Sequence, residues 1–120
     1  MTKILLVEDH PMVRELCSQQ LEILDYAVVA VADAEAAQRL LMDGSTFDLL
    51  LTDRSLPEMD GFDLAHWVRE RNPDMPILLM TGLAAAERMA EAANIPMLLK
   101  PFSFAELEAG VEELLTEELV

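Results

Sequence analysis

Five polar residues of this 120-residue chain sit where short apolar runs stop. Glu8 and Asp9 follow KILLV at 3–7, Asp53 follows FDLLLT at 47–52, Thr81 follows PILLM at 76–80, and Lys100 closes the run that begins IPMLL at 95–99. Brought into one crevice, three carboxylates repel one another, and some are forced to take up protons. A divalent cation removes that conflict. A donor set made of oxygens suits a hard ion, Mg2+ above all, which binds through one or two carboxylates plus waters and phosphate oxygens. Lys100 supplies positive charge for a phosphoryl oxygen, the Thr81 hydroxyl can donate to another, and Gly82 leaves the space above open. Such a set is suited to placing a phosphoryl group on a carboxylate, with metal and lysine stabilising the charge.

Each signal has a plainer reading when taken alone. Glu8-Asp9 can be an ordinary strand end, with Asp9 or His10 capping the next helix. Asp53 can cap a turn ahead of a proline-containing loop. Thr81-Gly82 can be a strand-to-loop junction, and Lys100 a solvated cation. Their joint placement at four strand ends favours the chemical reading of the set. His10 and His66 are lone histidines, expected at the start of the first helix and on an exposed helix face.

The elements that must position these groups alternate between two periods. Lys3–Val7, Tyr26–Val31, Phe47–Thr52, Pro76–Met80 and Ile95–Leu99 read as strands. Between them run helical spacings. Pro11 opens the first helix, and Asp33 caps a second that stops near Gly44. A third runs through Leu64, Ala65, Trp67 and Val68 and ends before Asn72-Pro73. Alanine-rich Leu83–Ala93 reads as a fourth, and Ser103–Glu106 is a capping box opening the last. Nearly continuous apolar strands imply a sheet covered on both faces. The expected fold is therefore a doubly wound α/β domain over residues 1–120, with five parallel strands and helices on both faces. In the order 2-1-3-4-5, the ligand-binding switch point lies between strands one and three, the strands that carry Glu8, Asp9 and Asp53.

Composition narrows the partners. A formal net charge of -15 argues against nucleic acid and against an anionic membrane surface, and favours cationic partners. Most of the 23 acidic residues read as a solvated surface. Cys17, the one cysteine, allows no internal disulfide and reads as a buried thiol. No signal peptide or membrane-length apolar run is evident, so a cytoplasmic location is expected. No glycine-rich phosphate loop follows the first strand, and Glu8-Asp9-His10 does not match the Asp-x-Asp expected of an aspartate-dependent phosphatase.

The motifs LLVEDH at 5–10, DLLLTDRSLPEMDG at 48–61, PILLMTG at 76–82 and LLKPF at 98–102 give the chain its resemblance to the receiver domains of two-component response regulators. The resemblance spans the whole length, and its central segment is the most specific. It implies a flavodoxin-like fold and a signalling module rather than an enzyme. By resemblance, Asp53 accepts a phosphoryl group from a histidine kinase or histidine phosphotransfer protein. Glu8, Asp9, Asp53 and the backbone carbonyl of Ser55 bind Mg2+, while Thr81 and Lys100 contact the phosphoryl group. The Lys100-Pro101 bond is expected to be cis.

The resemblance further implies a switch at Thr81 and Met97, where many members carry Tyr or Phe instead of Met97. The surface facing the histidine donor corresponds to Met12, Arg14, Glu15, Ser18, Pro101 and Phe102. A monomer or weak dimer is expected, acting as a stand-alone domain or as part of a hybrid kinase. The alternative is a receiver-like interaction module whose contacts do not depend on phosphorylation.

Overall fold

Period-2 alternation of Leu, Ile and Val builds a sheet with two apolar faces. The computed structural model describes residues 1–82 and 95–117. Among these, five parallel strands form one sheet in the order β2-β1-β3-β4-β5: β1 Lys3–Val7, β2 Ala27–Val31, β3 Leu49–Asp53, β4 Ile77–Gly82 and β5 Met97–Lys100. Four helices accompany them: α1 Pro11–Ile23, α2 Ala34–Met42, α3 Gly61–Arg71 and α4 Phe104–Glu117. The helix expected over Leu83–Ala93 lies outside the described residues.

Alternate strand residues point to opposite cores. Leu5, Val7, Leu50, Ile77 and Leu79 pack with Ala34 and Ala37 of α2 and Leu64, Ala65 and Val68 of α3. Ile4, Leu6, Leu49, Leu51, Leu78 and Met80 pack with Cys17 and Leu21 of α1 and Leu107 and Val111 of α4. Burying one Leu or Ile side chain contributes roughly 2 kcal/mol, so this two-sided aliphatic core is the main support of the sheet.

Helix starts follow the local chemistry. His10 Nδ1 accepts a long 3.5 Å bond from Val13 N–H at the start of α1, where Pro11 needs no donor partner. Asp33 caps α2 through Ala36 N–H at 2.8 Å. Ser103 and Glu106 form the expected reciprocal capping box, at 3.1 and 3.0 Å. Past the end of α2, Gly44 adopts φ +93°, a conformation glycine enters without steric cost.

Strand ends differ from the sequence reading by one or two residues, for physical reasons. β3 starts at Leu49 because the Asp48 carboxylate accepts the Lys3 N–H at 2.8 Å while Asp48 N–H donates to the Lys3 carbonyl. β5 starts at Met97 because Pro96 has no N–H to give the ladder, though its carbonyl accepts from Leu79 N–H at 3.0 Å. β4 extends through Gly82, which lies opposite Lys100. Among the described residues no helix is long and apolar enough to cross a membrane.

Candidate functional site

Register brings the polar strand ends together. Val7 pairs with Thr52, so Glu8 and Asp53, the next residues, leave the β1 and β3 ends side by side. Asp53 lies opposite Met80, which places Thr81 one residue further along β4, and Gly82 lies opposite Lys100 on β5. Carboxylate oxygens of Glu8, Asp9 and Asp53 all lie within 4.8 Å of one another. α1 leaves β1 on one face of the sheet and α3 leaves β3 on the other, so the crevice opens between them.

Burial makes the cluster unlike a solvated acidic face. Glu8 is 1% exposed and Asp53 7%, whereas Asp9 is open to solvent. Lys100 Nζ is 3.2 Å from Asp53 Oδ2 and 3.5 Å from Glu8 Oε1. One ammonium group thus faces two buried carboxylates. Burial first, then the hydrogen bond and charge of Asp53, push the Glu8 pKa up to about 7, against the lowering effect of Lys100. Burial by itself would lower the Lys100 pKa, but the charges of Asp53 and Glu8 outweigh it and raise the value. Glu8 Oε2 is buried and has no hydrogen-bond partner.

That orphaned oxygen, beside two further carboxylates, fits a hard divalent cation, which would satisfy it and offset the excess negative charge. Glu8, Asp9 and Asp53 are the side chains that could hold the ion. Ser55, whose carbonyl completes the expected set, sits two residues beyond Asp53 in the loop, and its N–H donates to Asp53 Oδ1 at 3.4 Å. Buried Thr81 donates a long 3.4 Å bond to the Gly82 carbonyl, a weak tie that the hydroxyl can exchange for a better acceptor. The Lys100-Pro101 bond is cis, as expected.

The chemistry of this edge coincides with a family match. The model of the response regulator receiver domain fits residues 4–112. The chain belongs to the response regulator receiver family. It is 41% identical over 103 residues to the response regulator protein FleR of Pseudomonas aeruginosa, a match covering 83% of this chain and 22% of FleR. It is 35% identical over 118 residues to the response regulator receiver protein CpdR of Brucella abortus, covering 96% of this chain and 98% of CpdR. The chain therefore spans about a fifth of one curated relative and nearly all of another. Among solved structures, response regulator protein TrrA from Thermotoga maritima, in complex with Mg2+-BeF, superposes with a TM-score of 0.86 at 28% identity. That match covers 95% of this chain and 99% of TrrA.

The six residues expected to face a histidine donor do not share one hollow. Pro101 and Phe102 share a hollow of about 440 Å³ with Val13, Leu16, Cys17, Gln20 and Lys100. Arg14, Glu15 and Ser18 line a separate hollow with Pro11, Gln19, Glu22 and Ala30. Arg14 also ties down the turn before α1, donating to the Glu8 carbonyl at 3.0 Å. Met12 projects into solvent at 77% exposure. Val13, Leu16 and Gln20 join the expected Pro101 and Phe102 in lining the first hollow. Their spacing of three and four residues puts them on one face of α1.

Met97 is half-buried and packs against the core beneath α2 and α3. Cys17 is buried, and its burial and then the nearby Glu8 charge push its pKa up to about 11, away from thiolate reactivity. His66 stays exposed and meets Phe62 edge to face.

Proposed function

We propose that this receiver accepts a phosphoryl group on Asp53 from a phosphohistidine of a histidine kinase or phosphotransfer protein, and signals through protein contacts. The observation that carries the reading is the buried Glu8–Asp53–Lys100 set, with Asp9 beside it and the Glu8 Oε2 oxygen unpartnered. One O–P bond forms to an Asp53 oxygen. The P–N bond of the donor breaks, and its imidazole leaves on the partner. Mg2+, held by Glu8, Asp9, Asp53 and the Ser55 carbonyl, supplies positive charge for the phosphoryl oxygens when bound. The Mg2+-BeF complex of TrrA supports this part of the reading.

This chain's own residues account for the rest. Lys100 neutralises charge on the Asp53 carboxylate, to which it is already paired at 3.2 Å. The Thr81 hydroxyl exchanges its long bond to Gly82 for a phosphoryl oxygen. With Met97 in the position where many members carry a ring, Thr81 movement couples to an unbranched, adaptable side chain. In this reading residues 1–120 act as one receiver unit in the cytoplasm, monomeric or weakly dimeric.

Intact-mass spectrometry after incubation with a small phosphodonor and Mg2+ tests the proposal. The wild type should gain one phosphoryl group and Asp53→Asn none. No gain with any small donor or with histidine-phosphorylated partners would favour a module that works without phosphorylation. Equal labelling of the mutant would remove Asp53 from its role.

A further inference from the structure

The loop between β3 and α3 begins and ends at the same place. Gly61 N–H donates to the Arg54 carbonyl at 2.8 Å, and Arg54 N–H donates to the Met80 carbonyl at 2.9 Å, anchoring that neck to β4. A Cβ at position 61 would lie 2.0 Å from the Asp53 carbonyl oxygen, so the approach is open only to glycine. Residues 55–60 therefore hang from a closed neck, and Glu58 at φ 66° turns the chain back. Across the neck, Arg54 Nη2 faces Asp60 Oδ2 at 3.5 Å. The other Asp60 oxygen accepts the Phe62 N–H at 2.8 Å and caps α3. One carboxylate thus joins the helix start to the residue that follows Asp53.

We infer that Arg54 and Asp60 form a latch that positions the Ser55 carbonyl for the metal. The inference rests on the proposed Mg2+ site. Ser55 is the first residue beyond the neck, and its N–H reaches the Asp53 carboxylate only weakly, at 3.4 Å. Holding the neck in place therefore helps to set the direction of its carbonyl. Both latch side chains are about one-third exposed, at 34% and 35%, and exposed pairs of this kind add little to global stability. The effect of the latch is local. It removes conformational freedom from a ligand that must otherwise be ordered when the ion arrives.

Charge alone gives a different forecast, which makes the latch separable from it. Removing the Arg54 cation near a cation site would strengthen Mg2+ binding, and removing the Asp60 anion would weaken it. The latch requires both changes to weaken binding. Isothermal titration of MgCl2 into chelator-treated protein is the experiment, with wild type, Arg54→Ala, Arg54→Lys, Asp60→Asn and the Arg54→Ala/Asp60→Asn double variant. Asn keeps the helix cap while losing the charge.

The latch predicts that each of Arg54→Ala and Asp60→Asn weakens Mg2+ binding roughly two- to fivefold. The double variant should be no worse than either single, Arg54→Lys should recover part of the loss, and melting temperatures in chelator should stay close to wild type. Shifts of opposite sign, additive losses or unchanged affinities in the variants would overturn the latch while leaving the metal site standing. A wild type that binds no Mg2+ would overturn the metal site and the latch together.

Discussion

The two ends of the sheet carry similar kinds of polar groups and treat them in opposite ways. At the N-terminal end, Lys3 N–H is satisfied by Asp48, the Lys3 ammonium lies 4.9 Å from the centre of the Phe47 ring, and Arg71 lies 4.9 Å from the centre of the Trp67 ring. These contacts are near solvent and make no unpaired buried charge. At the C-terminal end, two buried carboxylates share one lysine, and a Glu8 oxygen has no partner. The first end is arranged for the folded state by itself. The second is left short of positive charge, which is what a site completed by a cation and a phosphoryl group requires.

The largest effect should come from disturbing the backbone under Asp53. In Gly61→Ala the new Cβ falls 2.0 Å from the Asp53 carbonyl oxygen and 2.9 Å from the Arg54 Cα. Backbone must move, at a cost on the order of 1–3 kcal/mol. Chemical unfolding should register that loss, and phosphodonor labelling should fall along with it. Wild-type labelling in this variant would show that the neck does not position Asp53.

Acidity gives the next effect, and around neutral pH it comes from Glu8 at the C-terminal end. Glu8 has a folded pKa of about 7 against an ordinary 4.5, so the fold holds its proton more tightly than the unfolded chain does. Its contribution to stability is therefore complete below about pH 4.5 and is lost as pH rises through 7. In chelator, that contribution should decline across this window. Mg2+ competes with the same proton, so its affinity should rise with pH up to about 7 and then level off. A pH-independent Mg2+ affinity from titrations at pH 5.5, 6.5 and 7.5 would contradict this account of Glu8.

The smallest effect should come from the N-terminal end. Asp48→Ala removes one side-chain bond to the Lys3 N–H near solvent and should cost about 1 kcal/mol. Denaturant midpoints would show the loss. Mg2+ affinity and phosphodonor labelling should match wild type, because this end takes no part in the site.

The fold could be read in the sequence because its strands carry a strong aliphatic pattern, and the site because parallel strands all end on one edge. Glu8, Asp9, Asp53 and Lys100 could be grouped before any coordinates for that reason alone. Which of the adjacent Glu8 and Asp9 is buried could not, since a single residue of rotation at a strand end reverses the answer. The start of β3 was hidden because a side chain, Asp48, takes a ladder donor from Lys3. The Arg54–Asp60 tie spans six residues and exists only once the loop neck has closed, so no local pattern announces it. The residues expected to face a donor could be grouped by resemblance alone, whereas Arg14, Glu15 and Ser18 line one hollow, Pro101 and Phe102 another, and Met12 neither.

Unrelieved negative charge is concentrated at the C-terminal edge, and a divalent cation bound there would relieve it. The most direct measurement compares melting temperatures in chelator and in excess Mg2+, near pH 7.5, for wild type, Asp48→Ala and Asp53→Asn. At a hundredfold excess over the dissociation constant, Mg2+ should raise the wild-type value by on the order of 10 °C. Asp48→Ala should show the same rise from a slightly lower start. Asp53→Asn should melt higher than wild type in chelator and gain much less from Mg2+. No Mg2+ effect on wild type, or an equal rise in all three proteins, would contradict the claim.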